Sequence, residues 1–400
     1  MTSLPITVLG ADSVWMESDA LDQLASVASR DGCCQAVGMP DLHPGRGIPI
    51  GAAFRFTERV WPELVGSDAG CGVLTLVARR AGARGDLLER RVTRAWSTPV
   101  LADVPSGPLL EAVWNRGPRG LAGVAGVPEA LAEWVTHPAF EDDAGPSGPG
   151  FSEPRFAEQL GSIGGGNHFA EVSHVASTTD RAAAKRAGLR RDAQVLLVHS
   201  GSRGLGAALH RRYASAGALG LADAPAYLAD LRGAVRYARA NRVLIAWRLM
   251  QAAGLGAPHR IAAAFDIVHN TVEREGDTFL HRKGAAPAHA GQFTVVLGSR
   301  GAPSWVLEGR GNEACLSSVA HGAGRRMARG EAFEKLRAKR TKRALSRTAL
   351  GSRVLCDDTR LLYEEHPDAY KAIEPVVKAL EEAGAGRRVA CLSPLLTVKK

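Results

Sequence analysis

The chain has 400 residues, 45% of them apolar and 23% charged, with a net charge of +9. These ordinary fractions exclude a disordered chain, and the length supplies core for one large α/β domain or two smaller ones. The basic balance suits a polyanion such as nucleic acid, although a merely Arg-rich soluble protein carries the same charge.

The stretch Met1-Thr-Ser-Leu-Pro-Ile-Thr-Val8 lacks the basic and apolar regions of a signal peptide. No apolar run approaches the roughly 20 residues that span a bilayer. Six cysteines (Cys33, Cys34, Cys71, Cys315, Cys356 and Cys391) show no disulfide-like spacing. A cytoplasmic protein is expected, with no membrane contact and with reduced thiols available to a metal.

Residues 17 to 30 read as an amphipathic helix. Met39 to Phe54 holds three prolines and three glycines, which exclude a helix. A structured loop carrying Asp41, His43 and Arg46 is expected, either as part of a site or as a turn with a capped Asp. Val65-Gly-Ser-Asp-Ala-Gly-Cys-Gly-Val73 then sets the carboxylate of Asp68 three residues from the thiol of Cys71, among glycines that let backbone approach a ligand closely. The apolar run Val73 to Val77 reads as a buried strand. An acid and a thiol at a strand entrance suit a metal ion. Helical patterns follow over 86 to 96 and 121 to 136. Residues 138 to 153, rich in glycine and proline around Asp142 and Asp143, form the clearest loop or insertion.

Gly161-Ser-Ile-Gly-Gly-Gly-Asn-His-Phe-Ala-Glu-Val172 reads as a Gly-rich loop entering a strand, with Asn167 and His168 at the junction. Its N–H groups can cradle a phosphate, but the Gly-Lys-Ser/Thr ending of a Walker A loop is absent. Val195-Leu-Leu-Val-His-Ser-Gly-Ser-Arg-Gly reads as a strand ending at His199, with Arg203 placed to hold an anion at a turn or helix start. A helical insertion covers about 207 to 255. Phe265-Asp-Ile-Val-His-Asn270 repeats the strand-to-histidine pattern at His269. After Val295-Val-Leu-Gly-Ser-Arg300, His321 lies among glycines with Arg325 four residues on. Residues 331 to 347 read as one basic helix, either a solvated face or a contact for an RNA backbone. A helix near 368 to 384 and a short strand close the chain.

One strand-end histidine is more often structural than ligating. Three of them, His168, His199 and His269, together with Asp68 and Cys71, fit convergence at the ends of neighbouring strands, where open α/β sheets place ligands. Five ligands exceed the set of one catalytic metal that keeps an open position. A two-metal site bridged by the Cys71 thiolate is therefore expected, and two ions roughly 3.5–4 Å apart can clamp the oxygens of a phosphoryl transfer. Softness alone favours zinc, iron or cobalt over manganese. His321 differs: a neutral imidazole is a competent nucleophile toward phosphorus, and Arg325 offsets phosphate charge. A further metal ligand or an ordinary loop histidine is the alternative.

Six motifs, in order, resemble the RtcB-type RNA-splicing ligases: Gly-Ser-Asp-Ala-Gly-Cys-Gly-Val, Gly-Gly-Gly-Asn-His-Phe-Ala-Glu, His-Ser-Gly-Ser-Arg-Gly, His-Asn, His-Arg-Lys-Gly-Ala and His-Gly-Ala-Gly-Arg. The resemblance runs from about residue 38 to the end. It implies one large α/β (α+β) domain over 1 to 400, with central sheets flanked by helices and a dinuclear metal site at strand ends. It also implies a GTP- and Mn²⁺-dependent enzyme joining RNA 3′-phosphate or 2′,3′-cyclic phosphate ends to 5′-hydroxyl ends. By match of position, Asp68, Cys71 and His168 hold one Mn²⁺, Cys71, His199 and His269 the other, and His321 takes GMP from GTP. Asn167, Phe169, Glu171, Asn270, Gly298, Ser299, Ser304, Gly322, Ala323, Gly324, Tyr370 and Lys399 match nucleotide-binding positions, and Arg203 and Arg325 match phosphate-binding ones. Glu171 suits guanine, because a carboxylate accepts from its N1–H and N2–H.

The family's usual Pro-Gly-Ser/Thr-Met loop reads Leu297-Gly-Ser-Arg300 here, and the chain ends Val-Lys-Lys where a final Gly is common. Asp-Leu-His-Pro-Gly-Arg-Gly, Ala-Arg-Ala-Asn-Arg (238–242), Leu-Leu-Tyr-Glu-Glu (361–365) and Pro-Leu-Leu-Thr (394–397) look like the subgroup associated with a release-factor-like hydrolase, implying repair of cleaved ribosomal RNA rather than splicing of tRNA. Such a hydrolase or archease is the implied protein partner, and a monomer is expected. Two other functions stand beside ligation: a metal-dependent 2′,3′-cyclic phosphodiesterase, which needs the metal ligands but not His321, and a non-catalytic RNA-end-binding paralogue.

Overall fold

The strands Gly72–Ala78 and Gln194–Ser200 are buried along their whole length. Strand alternation splits their side chains between two apolar clusters. Leu74, Leu76, Leu196 and Val198 face the larger one, and Val73, Val77, Val195 and Leu197 face another. Both faces of the sheet they share must therefore be covered. The 30-residue helix Ala224–Ala253 packs against the first face together with the helices Ser106–Arg116 and Glu129–Val135. Gly254, in the left-handed conformation, ends the long helix.

The computed structural model describes residues 6–97, 99–140 and 145–400, so Asp142 and Asp143 lie outside the described residues. The large sheet runs in the order Phe293–Val296, Ser304–Gly309, Gly386–Lys399, Phe169–Thr178, Gln194–Ser200, Gly72–Ala78, Ile261–Val268, with Arg353–Cys356 also paired to Gly386–Lys399. A five-stranded sheet runs Ile6–Val8, Cys33–His43, Ile50–Thr57, Thr278–Lys283, Asn270–Glu275. The chain crosses from one sheet to the other with His269 alone between Val268 and Asn270. A two-stranded ribbon, Ala285–Pro287 with Ser318–Ala320, delivers His321 to the same seam. Among the described residues, no helix is long and apolar enough to cross a membrane.

Several expected boundaries move. Asp41 and His43 belong to the strand Cys33–His43, and the loop between strands is confined to 44 to 49. Pairing with Ile50–Thr57 outweighs the prolines there, because register shifts between Gly38 and His43 leave Pro40 outside the regular ladder. The helix expected over 121 to 136 is a 3₁₀ segment, Gly117–Gly123, and a short helix, Glu129–Val135, with Pro128 at its N-cap. The basic stretch at 331 to 347 forms two short helices, Arg329–Arg337 and Lys342–Leu345, with Thr341 capping the second through Ala344 N–H. The closing strand, Gly386–Lys399, is 14 residues long rather than short.

Candidate active site

Sheet register explains why distant residues meet. Gly72 pairs with both Ser200 and Val268, and Phe169 pairs with His199. Cys71, His168, His199 and His269 therefore share one end of four adjacent strands. Cys71 Sγ lies 3.4 Å from Nε2 of both His168 and His199, and His199 Nε2 lies 3.4 Å from His269 Nε2. Asp68 Oδ2 lies 2.9 Å from His168 Nε2. All five expected ligands thus come together, and the four thiol and imidazole groups are buried.

Hydrogen bonds fix the loops that carry them. His269 N–H donates to Cys71 O and Gly70 N–H to Asn270 O, each at 2.9 Å. Asn270 Nδ2 donates to Asp68 O at 3.1 Å, and its Oδ1 accepts from Gly284 N–H. The buried Arg242 donates through Nη1 to Gly70 O and Ser200 O, both at 2.8 Å, while its other nitrogens grip Asp266. Asn241 accepts from Gly161 N–H and donates to Ser162 O, Ser200 Oγ and Gly201 O, tying the Gly-rich loop to the end of the His199 strand.

This set fits a metal ion. Burial holds the His199 and His269 imidazoles far below their ordinary pKa, reinforced by neighbouring His168 and His321, so both rings are neutral and able to serve as ligands. Burial opposes ionisation of Asp68, but His168 and Cys71 beside it hold its carboxyl well below the usual range. Burial pushes the Cys71 thiol up. A bound divalent cation reverses that cost, since it takes the thiolate in place of the proton. Cys71, His168 and His199 place their donor atoms within 4.8 Å of one another, with Asp68 beside His168 and His269 beside His199, a donor set that suits a transition metal.

His321 stands next to this cluster. Its ring centre is 4.8 Å from that of His269 and 6.4 Å from that of His199. Its Nδ1 lies 2.7 Å from Asp41 Oδ2, a carboxylate with no exposed surface. Lys371 Nζ donates to Pro40 O and Leu42 O, the carbonyls on either side of Asp41, at 3.0 and 2.8 Å. Gly324 has φ +75°, and a Cβ there would meet Asp41 O at 2.3 Å, so only glycine lets the His321 loop sit this close.

A cavity of about 1310 Å³ opens beside these groups, with Asn167, Phe169, Glu171, His199, His321 and Lys399 in its wall and Asp68, Cys71, His168 and His269 outside it. Gly298, Ser299, Gly322, Ala323, Gly324 and Tyr370 also line it. Glu171 is buried and accepts from Ser173 Oγ at 2.8 Å and Thr397 Oγ1 at 2.7 Å. Burial raises its pKa to about 7 despite those bonds. Lys399 Nζ donates to His168 O at 2.9 Å, and burial lowers its pKa to about 8.

Four expected site residues sit differently. Asn270 and Ser304 are not in the cavity wall; they brace loops, Ser304 Oγ accepting from Gly298 N–H at 3.0 Å. Arg203 starts the helix Arg203–Arg212 and packs on Gly164, with Nε donating to Ser162 Oγ, also outside the wall. Arg325 does line the cavity, but it donates to Glu365, Tyr370 OH, Glu364 O and Met327 O. Four of its five N–H groups are thus committed to protein.

Sequence reasoning missed Lys371, met Asn241, Arg242, Glu365 and Thr397 only inside subgroup motifs without a role at the site, and gave Asp41 no partner. Glu365 is a buried hub, 3.0 Å from Arg325, 3.3 Å from Arg329 and 4.0 Å from Lys399. Asp41 had a signal, being a carboxylate in a Pro/Gly-rich stretch. Lys371 carries none outside the tertiary fold, and the motifs around the other four say nothing of the contacts they make.

The comparisons with known proteins agree with this geometry. The sequence model of the family described as tRNA-splicing ligase RtcB matches residues 23–219 and 218–400. The RNA-splicing ligase RtcB2 of Escherichia coli is 41% identical over 408 residues, which cover 98% of this chain and 95% of that protein. The RNA-splicing ligase RtcB of Mycobacterium bovis is 31% identical over 442 residues, 94% of this chain and 100% of that protein. The tRNA-splicing ligase RtcB of Methanococcus maripaludis is 29% identical over 462 residues, 96% of this chain and 92% of that protein. With both halves matched and the expected ligands gathered at one seam, the chain belongs to the RtcB family of RNA-splicing ligases.

Proposed function

We propose that this RNA ligase is GTP- and Mn²⁺-dependent and joins RNA 3′-phosphate or 2′,3′-cyclic phosphate ends to 5′-hydroxyl ends in the cytoplasm, acting on broken tRNA or rRNA. One observation carries the reading: His321 Nδ1 lies 2.7 Å from the buried Asp41 Oδ2, a charge contact rather than an aligned hydrogen bond, beside the thiol–imidazole cluster. The buried carboxylate favours the proton on Nδ1 and leaves the Nε2 lone pair free.

His321 Nε2 attacks the α-phosphorus of GTP; a P–N bond to GMP forms as the bond to pyrophosphate breaks. An oxygen of the RNA 3′-phosphate then attacks the same phosphorus, the P–N bond breaks, and His321 returns to a neutral imidazole. The 5′-hydroxyl of the second RNA attacks the activated 3′-phosphate, loses its proton, and GMP leaves. Cyclic ends are first opened by water to the 3′-phosphate.

Asp68, Cys71 and His168 would hold one Mn²⁺ and Cys71, His199 and His269 the other; bound there, the ions supply positive charge to phosphate oxygens. Glu171 accepts from the guanine N1–H and N2–H. Asn167, Phe169, Gly298, Ser299, Tyr370, Lys399 and the Gly322–Gly324 turn enclose the nucleotide, while Asn270 and Ser304 position its loops. Arg325 acts mainly by orienting Glu365 and Tyr370, and Arg203 by shaping the Gly-rich loop.

The test is incubation with labelled GTP and Mn²⁺, wild type beside His321→Ala. Acid-labile label on the wild type alone supports ligation by this route. Turnover of cyclic ends without label identifies a phosphodiesterase instead, and neither activity identifies an RNA-end binder.

A further inference from the structure

The cavity is larger than the roughly 300–1,000 Å³ of ordinary small-molecule pockets, so it has room beyond one nucleotide. Its wall includes the loop after His43, where Arg46 lies, and Trp15. Trp15 is 58% exposed, the most exposed large apolar side chain among the described residues. The next, Leu350 at 49% and Leu87 at 43%, are aliphatic and lie outside the cavity wall. Among the described residues Trp15 has no ring partner and Arg46 no ion pair. Glu17 shares this wall, so its charge is mixed and an exposed indole face is its distinctive element.

An exposed aromatic and an uncommitted cation in the wall of one cavity that also holds His321 match how proteins hold single-stranded nucleic acid. Bases stack on the ring, whatever their sequence, and the cation meets the backbone. We propose that Trp15 and Arg46 form a platform for an RNA strand running into the cavity, with one base stacked on the Trp15 indole. The inference rests on RNA being the substrate proposed above. It assigns Trp15 a positioning role and no part in the chemistry at phosphorus.

The test compares Trp15→Ala and Trp15→Phe with wild type, and uses Leu350→Ala as an exposed apolar control away from the cavity. Binding of a short single-stranded RNA with a 3′-phosphate is read by fluorescence anisotropy. KM for each RNA strand is read at saturating GTP and Mn²⁺, and labelling of His321 by GTP is read without RNA. Trp15→Ala is expected to weaken RNA binding and raise KM for at least one strand about tenfold, with GTP labelling retained. Trp15→Phe should recover most of the loss, and Leu350→Ala should match wild type. RNA affinity unchanged in Trp15→Ala overturns the proposal, and so does an equal loss in Trp15→Phe, because then the ring does not matter. If the wild type never labels with GTP, the ligase route fails, while the anisotropy comparison still decides whether the platform exists.

Discussion

Asp41 Oδ2 and His321 Nδ1 stand 2.7 Å apart, although one comes from the second strand of the chain and the other from the turn after Ala320. The pair is buried, and Lys371 pins the backbone on both sides of Asp41. Asp41→Asn keeps the size and removes the charge, so the imidazole loses its preferred tautomer and orientation. Labelling of His321 by GTP in a single turnover should slow by about 10²–10⁴-fold, with GTP affinity changed only a few-fold. A rate within a factor of three of wild type would show that Asp41 does not orient the nucleophile.

Glu171 is the group whose titration falls near neutrality. Its folded pKa is about 7, raised from 4.5 chiefly by burial. Between those values the folded chain holds a proton that the unfolded chain has released, so this group makes stability fall as pH rises through that window. Glu171→Gln cannot titrate, and its Tm should decline less than that of wild type from pH 5 to 7. GTP binding has the opposite sign. A carboxylate accepts the guanine N–H groups only when ionised, so wild-type affinity should strengthen as pH rises through about 7. The Gln variant should bind more weakly above pH 7 and show little of this slope; isothermal calorimetry across pH 6 to 8 reads both.

The ligand set was legible in the sequence because its chemistry is local: each ligand sits at the end of an apolar run beside glycine, asparagine or serine. Antiparallel register then brings those ends together, as Gly72 with Ser200 and Val268 illustrates. The seam between two sheets was not legible. It depends on His269 being the single residue between strands of different sheets, which periodicity does not reveal. The roles of Arg242 and Asn241 were not legible for a related reason. Their helix is buried nearly all round, so they look like polar residues on a helix until the backbone groups they satisfy are known. Asp41 was misplaced because proline and glycine argue for a loop, whereas a strand with an irregular register tolerates them.

Arg300 stands where the family resemblance leads to an expectation of methionine. It is 8% exposed, Nη2 donates to Leu362 O at 3.0 Å, and Nε and Nη1 are buried with no protein partner. Burial lowers its pKa, with Cys356 and Glu365 offsetting part of the effect. A buried cation this poorly matched costs stability, and replacing such a group by an apolar one of similar volume is often neutral or stabilising. Arg300→Met should therefore keep or raise Tm in thermal unfolding without ligand. A drop of more than about 2 °C, roughly 1–2 kcal/mol for a chain of this size, would mean that the guanidinium is matched by groups other than protein side chains.

Cys71 touches both halves of the ligand cluster, 3.4 Å from His168 and 3.4 Å from His199, so its loss should affect every ion held there. A cation that binds only the folded chain stabilises it by mass action, about 2.7 kcal/mol at a hundred times its Kd. Adding Mn²⁺ to chelator-treated protein should raise the wild-type Tm. Cys71→Ala should show little of that rise, while its Tm in chelator falls only by the cost of removing one buried sulfur, on the order of 1 kcal/mol. Asp68→Asn, which alters a ligand on the His168 side alone, should keep part of the rise. A full Mn²⁺ response in Cys71→Ala would rule out the thiolate as the bridge, and an equal loss in both variants would rule out two separable ions.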